Sequence, residues 1–141
     1  MSNKPVAGSS IIPTLRYRNA LAMIDWLCQA FGFERHAVYA DGDQVHHAQL
    51  VHGSGMIMLG SVHDQSEWSQ FSAQPEEIQG RTTHGCCVIV PDPDAHLRQA
   101  LAAGAEIAIP IADQDYGGRG YAARDPEGFV WWFGSYDPWA P

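Results

Sequence analysis

The chain is short of positive charge, of cysteine and of long apolar runs, and each shortage removes a class of function. Only 8 Lys and Arg stand against 16 Asp and Glu in 141 residues, a formal net charge of -8 at pH 7. An acidic surface repels polyanions, and no basic cluster offsets it, so no nucleic-acid partner is expected. The 3 cysteines, Cys28, Cys86 and Cys87, are odd in number and two are adjacent. Neighbours on a strand point to opposite faces, so they suit reduced core residues and a cytoplasmic setting better than a disulfide framework or a metal site. No apolar run approaches a membrane span, so no membrane partner is expected. Met1 to Ser10 lacks a charged-then-apolar signal pattern and reads as a loose leader.

What is present is a moderately apolar chain, 45% hydrophobic and 17% charged, with 14 glycines and 15 aromatic rings counted as 5 Trp, 5 Tyr and 5 Phe. That composition suits one globular domain able to bury a core. The most informative stretch runs from Tyr116 to Trp139. A strand-like segment to Arg124 meets the turn Asp125-Pro126-Glu127-Gly128, and an aromatic strand follows from Phe129 to Phe133. Asp can bond the backbone ahead of it, Pro pre-sets φ and Gly closes the turn. Alternation then sends Trp131 and Trp132 to opposite faces, one to the core and one to whatever the sheet encloses.

The pattern before that stretch gives β-α-β-β-β. Ile11 to Arg18 alternates as a strand with Leu15 and Tyr17 on one face, and Thr14 and Arg16 on the other. Asn19 is a candidate N-cap for a helix whose stripe is Ala20, Met23, Ile24, Leu27, Cys28 and Phe31, closed by Gly32. Strands follow at Phe33 to Ala40, Val45 to Val51 and Met56 to Gly60. Residues 62–83 are polar and irregular, a linker with Trp68 and Phe71 as candidate plugs. The order then repeats: a strand from Gly85 to Val90, and a helix opened by Asp92-Pro93 with Leu97, Ala100 and Leu101 inward. Three strands to Gly134 complete it. Ala30-Phe31-Gly32-Phe33-Glu34 matches Ala102-Ala103-Gly104-Ala105-Glu106 at an offset of 72, and Leu59-Gly60 matches Phe133-Gly134 at an offset of 74. A near-constant offset indicates an internal duplication. The expected fold is α+β: two tandem βαβββ modules, 11–61 and 84–137, joined by the linker 62–83, forming a curved mixed sheet around a cavity.

Paired βαβββ units, the D-P-E-G turn and an A-x-G-x-E helix exit in each half resemble the vicinal oxygen chelate superfamily. That superfamily includes glyoxalase I, extradiol dioxygenases, and fosfomycin- and bleomycin-resistance proteins. The Y-G-G-R-G-Y-A-A-R-D-P-E-G run and Y-D-P-W tail are similar to a bacterial glyoxalase-like, bleomycin-resistance-like branch. In the metal-using families a divalent ion is held by His, Gln or Glu from the first strand of each half and a carboxylate from the last. Carried onto this chain, those positions fall at Ile12 and Gly85, and at Met58 and Trp132. None offers a nitrogen or oxygen ligand from its side chain, so no metal is expected.

The resemblance therefore implies a metal-independent small-molecule-binding protein, a homodimer that sequesters a planar or cationic compound in an aromatic cavity. The alternative is a metal-dependent lyase, isomerase or dioxygenase with a displaced metal site. Expected ligand contacts are Thr14, Arg16, His47, Gln49, Met58, Cys87, Ile89 and Trp132, with Met58 and Trp132 facing each other. His47 is the candidate base if there is catalysis. His36, His52, His63 and His96 read as solvated, Arg16 as a candidate rim ion pair, and Tyr136 with Trp139 as a plug or dimer contact.

Overall fold

The structure is a computed structural model that describes residues 8–141, so most of the expected leader lies outside the described residues. Each module follows the duplicated pattern. The first runs β1 (Thr14–Tyr17), α1 (Ala20–Phe31), β2 (Glu34–Asp41), β3 (Gln44–His52) and β4 (Gly55–Ser61). The second runs β5 (Cys86–Ile89), α2 (Pro93–Ala102), β6 (Glu106–Asp113), β7 (Arg119–Arg124) and β8 (Val130–Gly134). Strand order is β1-β4-β3-β2 in one sheet and β5-β8-β7-β6 in the other. In both, the first strand pairs with the last in parallel and the remaining pairs are antiparallel. The sheet is thus two separate 4-stranded sheets that do not close.

The helices decide how the sheets are arranged. Ala20, Met23, Ile24, Leu27, Ala30 and Phe31 of α1 are buried. The Phe31 ring reaches into the other module, 4.5 Å from Phe133 and 5.7 Å from Trp131. One apolar cluster therefore contains the helix-covered faces of both sheets. Side chains also close the helix ends across the junction. Trp26 Nε1 donates to Ala103 O at 2.8 Å, and Gln99 Nε2 to Gln29 O at 2.8 Å. His96 Nε2 lies 2.9 Å from Phe31 O and its Nδ1 2.5 Å from the Tyr121 hydroxyl. A carbonyl can only accept, so Nε2 carries the proton and Nδ1 takes the phenolic one. His96 is buried, not solvated as its polar helix suggested. The inward stripe of α2 is Pro93, His96 and Ala100, while Leu101 is exposed. With both ring nitrogens bonded, His96 can be buried where α2 packs against α1.

The D-P-E-G turn binds the modules at a second place. Gly128, at φ 98°, donates to Asp125 O at 2.9 Å. Asp125 Oδ1 accepts from the N–H groups of Glu127 and Phe129 at 3.0 and 3.1 Å. Its Oδ2 accepts from the Tyr17 hydroxyl at 2.6 Å and from Trp131 Nε1 at 3.1 Å. Glu127 accepts from the N–H groups of Arg18 and Asn19 at 2.6 and 2.9 Å. Asn19 makes no capping bond from its own side chain. A carboxylate from the other module does that work instead, where the helix dipole favours negative charge.

The linker is fixed at its second half. Gln74 Nε2 donates to Arg16 O at 2.6 Å, and Pro75 is buried, with Gly128 facing its ring. Arg124 Nη1 donates to Gly80 O at 2.7 Å. Trp68 and Phe71, expected as plugs, are 63% and 80% exposed. Gln74, Pro75, Glu77 and the Gly80 carbonyl hold the segment in their place. Trp139 is likewise exposed and plugs nothing within the chain.

Two outcomes follow for stability. Asp125→Ala orphans four donors, two of them buried, and is expected to cost about 3–5 kcal/mol in urea unfolding, against about 1 kcal/mol for Tyr17→Phe. Adding Tyr17→Phe to Asp125→Ala should then cost almost nothing, and strictly additive losses would contradict the shared bond. Burial lowers the pKa of His96 below the ordinary histidine value of 6.5. The unfolded chain therefore binds the proton more readily, and this contribution is complete above that value and lost as pH falls below it. Measured from pH 7 down to pH 5, the stability advantage of the native chain over His96→Gln should shrink.

Candidate functional site

Because the helix-covered faces share one core, the other face of each sheet turns outward. On the first sheet Leu15 and Tyr17 are buried, and Thr14 and Arg16 take the open side. Thr14, Met58 and Gln49 stand in line across β1, β4 and β3. A bulge at His46, between the pairs Tyr39–His47 and Ala40–Val45, lets both Val45 and Ala48 reach the core while His47 and Gln49 stay on the open side. Gln49 Nε2 lies 3.0 Å from His47 Nε2, and the His47 ring stacks on Tyr39 with centroids 6.2 Å apart.

On the second sheet Cys87, Trp132 and Ala122 stand in line, with Ile89, Gly134 and Gly120 in the adjacent row. Trp131 is 1% exposed, while Trp132 is half-buried on the opposite face, as alternation requires. The Trp132 indole lies along the sheet. A Cβ at Gly120 would come 2.6 Å from its Cζ2, and one at Gly134 2.9 Å from its Nε1. Glycine is needed at both places because the ring occupies the space a side chain would fill. The Trp131 indole N–H is spent on Asp125; that of Trp132 has no protein partner among the described residues. One side of the indole is seated and the other is offered.

All the expected contacts thus lie on open faces, but in two groups. Thr14, Arg16, His47, Gln49 and Met58 are on one sheet, and Cys87, Ile89 and Trp132 on the other. Met58 and Trp132 do not face each other within the chain, because the sheets present their helix sides to one another. The sequence reading missed Gly120 as a seat and Tyr39 as the ring beneath His47; the match of Gly134 to Gly60 in the repeat was the one available signal. Cys28 and Cys86 are half-buried, and Cys87 is exposed rather than part of a core. Partial burial pushes the Cys87 thiol upward, which disfavours the thiolate and a nucleophilic role.

The residues present do not fit the superfamily's divalent ion. No group of three or more His, Cys, Asp or Glu side chains placed to hold a metal occurs among the described residues. Near the carried-over positions the described residues offer one imidazole and one amide on the first sheet, and the Cys87 thiol with the exposed His84 beside the second, with no carboxylate among them.

A cleft of ≈ 90 Å³ adjoins the first open face where the linker crosses the end of β1. Arg16, His63, Trp68, Ser69 and Gln74 are among its walls. Arg16 forms no ion pair among the described residues, against the expectation of one at the rim. A wider hollow of ≈ 800 Å³ lies by the D-P-E-G turn, lined by Arg18, Glu76, Glu106, Arg124 and Glu127 among others. Its arginines are already paired with its acids.

Compared with known proteins, residues 12–133 match the model of the Glyoxalase/Bleomycin resistance protein/Dioxygenase superfamily. The structure of TioX from Micromonospora sp. ML1 is similar, with 33% identity, a TM-score of 0.71, and coverage of 90% of this chain and 98% of that one. A glyoxalase/bleomycin resistance protein/dioxygenase family enzyme from Burkholderia phytofirmans PsJN shares the fold at 19% identity, TM-score 0.65, covering 86% and 93%. The fosfomycin resistance protein FosX from Mesorhizobium loti does so at 13% identity, TM-score 0.62, covering 92% and 93%. No curated protein matches the chain.

Seating the indole on glycine makes a test. Gly120→Ala should destabilise the protein by about 1–3 kcal/mol through overpacking and red-shift the tryptophan emission as the ring is displaced. Part of that loss should vanish in a Trp132→Ala background; an undiminished loss would show that Gly120 does not seat the indole.

Proposed function

The chain belongs to the Glyoxalase/Bleomycin resistance protein/Dioxygenase superfamily, and on that premise we propose that it is a metal-independent binding protein for a small planar or cationic compound. The observation that carries the reading is the half-buried Trp132 indole, whose Nε1–Cε2–Cζ2 edge is seated against Gly120 and Gly134 on the open face of its sheet. A flat ring stacked there removes apolar surface from water on both partners and gains the offset-stacking preference of aromatic pairs.

We further infer a homodimer. Each open face is concave to nothing within its own chain, yet it exposes apolar side chains, with Ile109 at 51% and Ile89 at 38% on one sheet and Tyr39 at 60% on the other. A second copy can bring its first sheet over the second sheet of its partner, so that Met58, Gln49 and His47 of one chain roof Trp132 of the other. The reduced thiols Cys28, Cys86 and Cys87 support a cytoplasmic setting. No helix among the described residues is long and apolar enough to cross a membrane.

One observation favours the enzymatic alternative, the His47 ring held by Gln49 and Tyr39 on an open face. A base so placed could move a proton of a bound compound, and metal analysis of untagged protein separates the lyase, isomerase or dioxygenase reading from a binding role: a stoichiometric divalent ion would favour the enzyme.

Light scattering should give a mass twice 15.5 kDa, and acridine, a flat neutral probe, should quench tryptophan emission saturably. Trp132→Ala should weaken that binding by about 2 kcal/mol or more, roughly thirtyfold, without changing the unfolding midpoint. Unchanged affinity in the variant would remove Trp132 from the site.

A further inference from the structure

Four of the seven arginines are paired with carboxylates. Arg18 meets Glu76 and Glu77, Arg35 meets Asp25, Arg119 meets Asp94 and Asp113, and Arg124 meets Glu106. Arg81 and Arg98 have no such partner but are exposed, where water suffices. Arg16 is the exception: partly buried, and with no carboxylate within 4.0 Å among the described residues. Its only side-chain hydrogen bond there is a long one, 3.5 Å to the adjacent Leu15 O. In a chain with 16 acids and 8 bases, a guanidinium partly withdrawn from water and left without a counter-charge stands ready for an anion.

Its position gives that readiness a use. Arg16 Nη1 lies over Gly60, where a Cβ would come within 3.1 Å, so glycine keeps the open side of β4 clear for it. The guanidinium forms one wall of the ≈ 90 Å³ cleft beside the Thr14–Met58–Gln49 row. Glu77, another wall, is engaged by Arg18 Nη2 at 3.1 Å and by the Gln74 N–H at 3.1 Å. Asp64, also at the cleft, is exposed and does not reach Arg16. At ≈ 90 Å³ the cleft has room for an acid group.

We propose that Arg16 is an oxyanion subsite, and that in the proposed homodimer the planar compound held by Trp132 of one copy carries a carboxylate or similar acid group that Arg16 of the other copy takes as a fork, since the two residues stand on different sheets of one chain. This rests on the reading of Trp132 as a stacking platform and of the protein as a dimer, and selects planar acids from the planar or cationic compounds considered above. A guanidinium presents parallel N–H donors that match the two oxygens of a carboxylate, and charge-assisted bonds of that kind are about twice as strong as neutral ones.

The test uses the full chain and three flat probes of one size, 2-naphthoate, 2-naphthamide and 2-naphthylmethylamine, titrated by calorimetry. The acid should bind about tenfold or more tighter than the amide, and the amine weakest. Arg16→Gln should erase the preference for the acid while leaving the amide unchanged, whereas Trp132→Ala should weaken acid and amide together. Equal binding of acid and amide by the native chain, or a preference that survives Arg16→Gln, overturns the proposal. If no naphthyl probe binds, the stacking platform fails. Arg16 is then decided by inorganic phosphate, where binding to the native chain and not to Arg16→Gln upholds the subsite and absence of binding overturns it.

Discussion

A single carboxylate, that of Asp125, sits where both halves of the molecule meet. It is 3% exposed and gathers the Tyr17 hydroxyl, the Trp131 indole N–H and two backbone N–H groups. Burial raises its pKa, more than those hydrogen bonds lower it. Burial, and next the facing carboxylate, lift the Tyr17 phenol well above its ordinary range, so the phenol remains a donor. The group fixes three things together: the turn before β8, the end of β1, and the inward rotation of Trp131. Since Trp131 is turned inward, its neighbour must be turned outward, and the placing of the Trp132 indole on the open face depends on a hydrogen bond on the opposite side of the sheet.

The packing of helix against helix is the second constraint. Each βαβββ unit has one apolar sheet face to cover, and in this chain α1 and α2 cover both by packing between the sheets. Having used those faces on each other, the halves cannot also curl around a shared hollow. Two unlike open walls result, one carrying sulfur, amide and imidazole groups, the other an indole on glycine. Divergence between the duplicated halves is greatest here: Met58 answers to Trp132 and Arg16 to Ile89 in the strand registers, while the buried rows keep their character.

Most of the architecture was legible in the order of apolar and turn residues. The strands, both helices and the D-P-E-G turn stand where alternation, Gly32 and Asp92-Pro93 put them, with boundaries shifted by one to three residues. The family was legible for the same reason, since its signature is this repeat. What sequence pattern could not express was the relation between the halves. His96 reads as a polar helix residue because its partners, Phe31 O and Tyr121, lie 65 and 25 residues away. Glu127 capping α1 is similarly remote, and Asn19 looked sufficient alone. The faces of Thr14, Arg16, His47, Gln49, Met58 and Trp132 were readable from alternation, but the seat of the indole was not, because a glycine in a strand shows only that something comes close.

That seat has a thermodynamic consequence. A ring resting against two bare stretches of backbone has few orientations left to lose, so a guest that lands on it need not first freeze it in place. Recognition should then favour fully unsaturated, rigid rings over puckered ones of equal hydrophobicity, since a surface that cannot bend rewards only a matching flatness.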